Sequence, residues 1–368
     1  MNEPIFIARQ DTLEQEILPA HWLSQYKLFG EESYTFQDKG IWKKLCMSSA
    51  AANDRDMHAE ALEEMLTTFS AEHTGKWMLT VYGMDAAVLE GLASMAAIAA
   101  NGTAMSAVAA NALLMHAIAN SETAMQAISR SQTAMQRIAN STTAMDAISG
   151  SKIARGAVQA SPYYNSYIKE NDMAIAKLVV SFANLASAGY SGMAGVAADA
   201  TAMNAVAASS TAMNAVAASS TAMTAVAASG VALQAIAKAY KQTADMLKFL
   251  QAVNASDTLI KSIYNTLTKA TTLFAAAQLG AQDDVASANS WATTSAAPNA
   301  FLACACGYYS SGNSVNVTYN GTVIAQKKTG TAKPGSVTST NVNAITMAPS
   351  TFTENGDGYL AVQKFTAK

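Results

Sequence analysis

The chain is short of charge, aromatics, proline and cysteine, and each shortage narrows the possibilities. Of 368 residues only 13% are charged and 7% aromatic, while 51% are hydrophobic; soluble domains ordinarily carry about a quarter charged residues. Alanine makes up the difference. It buries little area, so at roughly 25 cal/mol per Å² a core built from it is thin and relies on close backbone approach or on partner chains. A compact single-core enzyme is not expected. The six prolines leave Pro19 to Pro162 and Pro162 to Pro298 uninterrupted, which permits long helical stretches, and with so little charge the composition is not that of a disordered chain. A net charge of −3 with no long basic run gives no expectation of nucleic acid binding.

Three cysteines, Cys46, Cys304 and Cys306, make no disulfide framework and fit synthesis in a reducing cytoplasm. Cys304 and Cys306 lie two apart in an expected strand, so they share a face and read as small buried hydrophobes. The first ten residues lack the basic start and apolar core of a secretory signal. Ala200 to Ala237 carries no charge, but Ser, Thr or Asn breaks every apolar run well short of about 18 residues, so no membrane span is expected.

What is present is a decapeptide repeat. Thr201-Ala-Met-Asn-Ala-Val-Ala-Ala-Ser-Ser210 recurs unchanged at 211–220 and nearly so at 221–229. Upstream, Met95, Met105, Met115, Met125, Met135 and Met145 stand ten apart, each followed three residues later by Ile or Val. Ten residues of unbroken α-helix advance about 1000°, about 80° short of three turns, so the Met/Val stripe would wind around a single helix. Each join carries Ser, Thr or Asn, poor inside helices and good as N-caps. The pattern predicts short helices separated by serine-rich turns, with Met and Val or Ile filling the seam and Ala permitting close stacking. A β-solenoid and a continuous overwound coiled coil are the rivals; Ala and Met disfavour the first.

The flanks differ. Residues 1–80 have an ordinary globular mix, with an amphipathic helix expected from Asp54 to Phe69 and a strand from Trp77 to Tyr82. Glu63 and Glu64 read as a solvated face, and His21, His58, His73 and His116 share no metal-ligand spacing. A turn at Tyr163 to Tyr167 leads into an apolar helix over Met173 to Ala188. Met246, Phe249, Val253, Ser256, Ile260, Ile263, Leu267, Ala270 and Phe274 then alternate at spacings of three and four, a heptad pattern whose adjacent Ile260 and Ile263 favour three strands. After Ser290 the texture is β, with short runs at 301–309, 314–319, 322–327, 336–338, 341–347 and 359–365, and Asn320-Gly321 as a hairpin signal. No phosphate loop, zinc-protease or nucleophile-elbow motif occurs, and Asp283-Asp284, Glu354 and Asp357 read as solvated loop acids.

The decads, together with the β-rich end Gly358-Tyr-Leu-Ala-Val-Gln-Lys-Phe-Thr-Ala-Lys368, resemble those of bacteriophage tail-fibre and related virion appendage proteins over roughly residues 85 to 368. The resemblance implies a homotrimeric structural fibre, not an enzyme, located in the virion and without a cofactor or metal. The expected fold is mainly α and elongated, with an α+β N-terminal domain, a coiled-coil segment and a small β-sandwich. Its expected parts are an attachment domain at 1–80 meeting tail or baseplate proteins, a first array at 81–160, a connecting helix at 161–190, a second array at 191–237, a coiled-coil neck at 238–290 and a tip at 291–368. Val253, Ile260, Ile263, Leu267 and Phe274 are the expected trimer core, and Tyr308, Tyr309 and Tyr319 the expected contacts to a bacterial receptor. Alternatives are a head fibre or internal tail component, or an ice-binding protein presenting ordered rows of Thr and Ala.

Overall fold

The structure, a computed structural model, describes residues 55–68, 82, 84–89, 91–239, 244–283, 289–290, 299–308, 314–327, 335–355 and 358–368. The chain divides into two compact units, Met1–Ala174 and Ile175–Lys368.

In the first unit the expected amphipathic helix forms as α1 (Arg55–Thr68), and α2 (Ala86–Leu89) follows. The first array is a succession of short helices: α3 (Met95–Ala100), α4 (Gly102–Ala110), α5 (Ala112–Ala119), α6 (Glu122–Ser129), α7 (Gln132–Ala139), α8 (Thr142–Gly150) and α9 (Lys152–Ala160). The single-turn α10 (Tyr164–Tyr167) comes next, and α11 (Asp172–Phe182) opens at the end of the unit. Of the expected strand at 77–82, all but Tyr82 lies outside the described residues, and Tyr82 is helical.

Each decad joins the next through one or two residues, the last of which caps the following helix. Ser131 shows how: it sits in extended backbone at φ −101°, ψ 119°, and its N–H donates to Ile128 O (3.0 Å), closing α6. Its hydroxyl accepts from Ala134 N (3.2 Å), opening α7, and donates to Ala99 O (2.7 Å) in the coil beneath. Ser141, Ser151 and Ser161 repeat the downward bond, to Ala109, Ala119 and Ser129, each 32 residues back at 2.6 Å. Successive helices bend sharply, by 100° between α4 and α5. Three bends return the chain over itself, so each helix packs on the third one after it: α3 on α6, α4 on α7, α5 on α8 and α6 on α9. One coil therefore consumes three decads.

This arrangement resolves the drift of a ten-residue period. Interrupting the helix after about two turns resets the phase, and every bend turns the same face inward. Ala104, Met105, Val108, Met135, Ile138, Met145 and Ile148 are accordingly fully buried. The short-helix expectation holds for the arrays, in place of a β-solenoid or a continuous helix.

The second unit repeats the plan with α12 (Met193–Ala198), α13 (Ala200–Ala208), α14 (Ser210–Ala218), α15 (Ser220–Ala227) and α16 (Gly230–Lys238). Ser229 Oγ donates to Ala197 O at 2.5 Å, again 32 residues back. The expected coiled-coil neck is two helices instead, α17 (Ala244–Asn254) and α18 (Asp257–Lys269). The heptad breaks because Ser256, which falls on a core position of the pattern, caps α18 by accepting from Leu259 N at 3.3 Å. These helices continue the coil: α14 packs on α17 and α15 on α18. Gly230 stands where earlier decads carry serine because a Cβ there would come within 2.9 Å of Ala270 Cβ.

Two antiparallel sheets complete the unit. The strands are β1 (Phe274–Asp283), β2 (Asn289–Ser290), β3 (Ala300–Tyr308), β4 (Ser314–Tyr319), β5 (Thr322–Lys327), β6 (Ala344–Met347), β7 (Ser350–Asn355) and β8 (Gly358–Ala367). One sheet has the order β1-β8-β3-β6 and the other β2-β7-β4-β5. Asn320 (φ 47°) and Gly321 (φ 75°) form the two-residue hairpin loop that the sequence signals, both in the left-handed region. The β region starts at Phe274 rather than at 291, because β1 pairs along its length with β8. No strand forms at 336–338.

Candidate functional site

The first sheet is held on the last coil of the second unit. Asn254, closing α17, donates to Ile345 O (2.7 Å) and accepts from Ile345 N (3.1 Å). Its carboxamide thus supplies the hydrogen-bond pattern of a neighbouring strand to β6, the edge of its sheet, which removes a hazard of free edges. Tyr264 of α18 donates to Val337 O (3.0 Å) and contacts Gln363 Oε1 (3.1 Å), and its ring meets Phe365 edge-on at 6.0 Å. Burial raises the Tyr264 hydroxyl above the usual phenol range. Gln234 of α16 donates to Lys368 O at 2.9 Å. Helices and sheets share one apolar core.

That packing accounts for the five expected trimer-core residues. Val253 on α17, Ile260, Ile263 and Leu267 on α18, and Phe274 at the start of β1 are each at most 3% exposed within the single chain. They fill the chain's own interior. The expected receptor tyrosines are not brought together as a surface. Tyr319 is fully buried, because strand alternation puts it on the inner face with Val315 and Val317. Tyr308 ends β3 opposite Gly358, and Tyr309 lies outside the described residues.

Cys304 and Cys306 are buried free thiols, as expected for small hydrophobes. Burial pushes the Cys306 thiol up to about 12, with Lys327 opposing, and burial together with Cys306 raises the Cys304 thiol well above the usual range. Both stay protonated and poorly nucleophilic at neutral pH. Glu63 is not a simple solvated acid: its carboxylate accepts from the hydroxyls of Ser121 and Thr123 (2.7 Å for Thr123) at the N-terminus of α6. A carboxylate there complements the helix dipole, and α1 packs on α5 and α6. Asp283 and Glu354 fall in different sheets, and Asp284 and Asp357 lie outside the described residues. Among the described residues, no group of three His, Cys, Asp or Glu side chains gathers as a metal site, and no single helix is long and apolar enough to cross a membrane.

One recess stands out on the first unit, between the stacked helices α5 and α8, with a volume of about 610 Å³. Ala112, His116 and Asn120 line it from below, and Thr143, Asp146, Ala147 and Gly150 from above. The sequence pattern does not single out this recess, because His116, Asp146 and Gly150 are isolated departures from the decad brought together only by the 30-residue coil. Asn120 Nδ2 donates to His116 O (2.9 Å) and lies 3.2 Å from His116 Nε2, which positions the imidazole.

No family model matches this chain, and no curated protein matches it.

Proposed function

We propose that this chain is a structural component of a bacteriophage tail fibre or related virion appendage, in which stacked decad coils serve as scaffold and the sheet pair as a presented module. The observation that carries the reading is the fixed seat of the module on the last coil, made by Asn254, Tyr264 and Gln234. A rigid joint of this kind suits presentation better than turnover. Attachment to other tail or baseplate proteins through 1–80, contact with a bacterial receptor through 291–368 and self-association as a homotrimer belong to the same proposal. Trimer contacts would fall on exposed coil or sheet faces, since the heptad residues are already buried. Tyr308 and Tyr309 remain the candidate receptor contacts.

The ice-binding alternative loses ground on geometry. Thr201, Thr211 and Thr221 lie on three successive helices, α13, α14 and α15, and successive helices bend by about 100°, as between α15 and α16 (96°). These threonines therefore face different directions, and Val231 stands thirty residues after Thr201, on the helix that packs against α13, so they build no flat row. The test of the fibre reading is immunogold labelling of purified particles, which also separates tail from head placement. Label on a tail appendage is expected; particles lacking the protein would remove the reading.

A further inference from the structure

We propose that the recess between α5 and α8 is a binding site for a neutral, polyhydroxylated ligand of the saccharide class, distinct from any contact made by the C-terminal module. The first argument is where the repeat departs from itself. The fourth position of the decad, directly after the methionine, is Ser106, Gln126 and Gln136 in neighbouring units but His116 and Asp146 here. These positions are 30 residues apart, so the coil stacks them, and they meet at the same recess. At the eighth position Gly150 replaces a side chain such as Arg130 or Asn140. A Cβ built on Gly150 meets nothing within 4 Å, so the space beside it is open.

The second argument is chemical. The recess offers a carboxylate, an imidazole oriented by Asn120, a threonine hydroxyl and a carboxamide, with the methyl groups of Ala112 and Ala147 between them. Carboxylate and carboxamide oxygens accept from vicinal hydroxyls, an imidazole N–H donates to them, and methyls cover C–H faces. Among the described residues no lysine or arginine lines the recess, and Asp146 repels anions, so phosphates and acidic sugars are disfavoured. The volume lies within the roughly 300–1,000 Å³ of small-molecule sites.

The test uses the full-length protein on an array of neutral and acidic oligosaccharides, followed by titration of any ligand retained. The expected result is retention of at least one neutral oligosaccharide, a tenfold or greater loss with Asp146→Asn, and loss with Gly150→Leu, which fills the open space. Unchanged circular dichroism for Gly150→Leu would establish that the fold is intact, whatever Asp146→Asn does to stability. Retention of no neutral sugar, preference for acidic ones, or equal binding by Gly150→Leu would overturn the proposal. None of these outcomes bears on whether the chain resides in the virion.

Discussion

At the scale of single residues a joint serine such as Ser131 or Ser151 carries three bonds at once, and its two side-chain roles can be separated by substitution. Ser151 caps α9 by accepting from Ala154 N and ties the coil down by donating to Ala119 O, a carbonyl at the end of α5 with no partner within its own helix. Loss of a cap costs about 1 kcal/mol, and an unpaired buried carbonyl about 1–3 kcal/mol more. Ser151→Ala should therefore lower unfolding stability in urea by about 2–4 kcal/mol. Ser151→Asp should not rescue it, although aspartate caps as well as serine, because it cannot donate. A full rescue by aspartate would show that the downward bond contributes nothing. Asp199 is a joint of the other kind: it accepts from Tyr190 Oη (2.7 Å), Thr201 N and Ala202 N. Those bonds, the one from Tyr190 first, hold its carboxyl below the usual aspartate range. A depressed carboxyl stabilises the fold above its unfolded value and loses that contribution as pH falls, here below about pH 4. Asp199→Asn should flatten the acid limb of a stability curve, and Tyr190→Phe should flatten it partly, as read by helical circular dichroism.

At the scale of elements, local chemistry was legible in the sequence and its assembly was not. Joint serines, the Met and Val/Ile seam and the Asn320-Gly321 loop are encoded within a few residues, so their signals survive without neighbours. The three-decad coil is not, because the ten-residue period describes one helix and its joint, while the coil depends on the angle at that joint. The heptad from Met246 to Phe274 misled for a related reason: α17 and α18 each bury a face, and the two faces happen to fall in phase across the break at Ser256. β1 escaped notice since its Ala-rich run gains strand character only by pairing with β8. The recess at His116 and Asp146 was equally hidden, each residue being unremarkable until the coil stacks them. If each decad is an autonomous third of a coil, one extra Thr-Ala-Met-Asn-Ala-Val-Ala-Ala-Ser-Ser unit inserted after Ser220 should fold, with helical signal raised and thermal midpoint preserved. A five-residue insertion at the same place should lower the midpoint by several degrees, since it puts the Met seam out of phase with the coil.

At the scale of the molecule, the second unit binds its sheets to its helices through few polar contacts, and Asn254 is central among them. Asn254→Leu keeps the branched shape but leaves both Ile345 backbone groups without these partners, at a cost of about 2–4 kcal/mol. Hydrogen exchange at the Ile345 amide should accelerate at least tenfold while the α13–α15 amides keep their protection; equal acceleration throughout would mean that the joint is not a local seam. A scaffold that presents a module needs both parts of this design, a coil that stacks regularly and a seat that does not pivot. The stacking is the claim on which the rest depends, and the distance between spin labels at Ser106→Cys and Gln136→Cys tests it most directly. Both positions are exposed, on α4 and α7, which pack together. Packed helices lie roughly 8–10 Å apart, so the account predicts a label separation below about 25 Å. A separation near 45 Å, the rise of about thirty residues in one continuous helix, would contradict it.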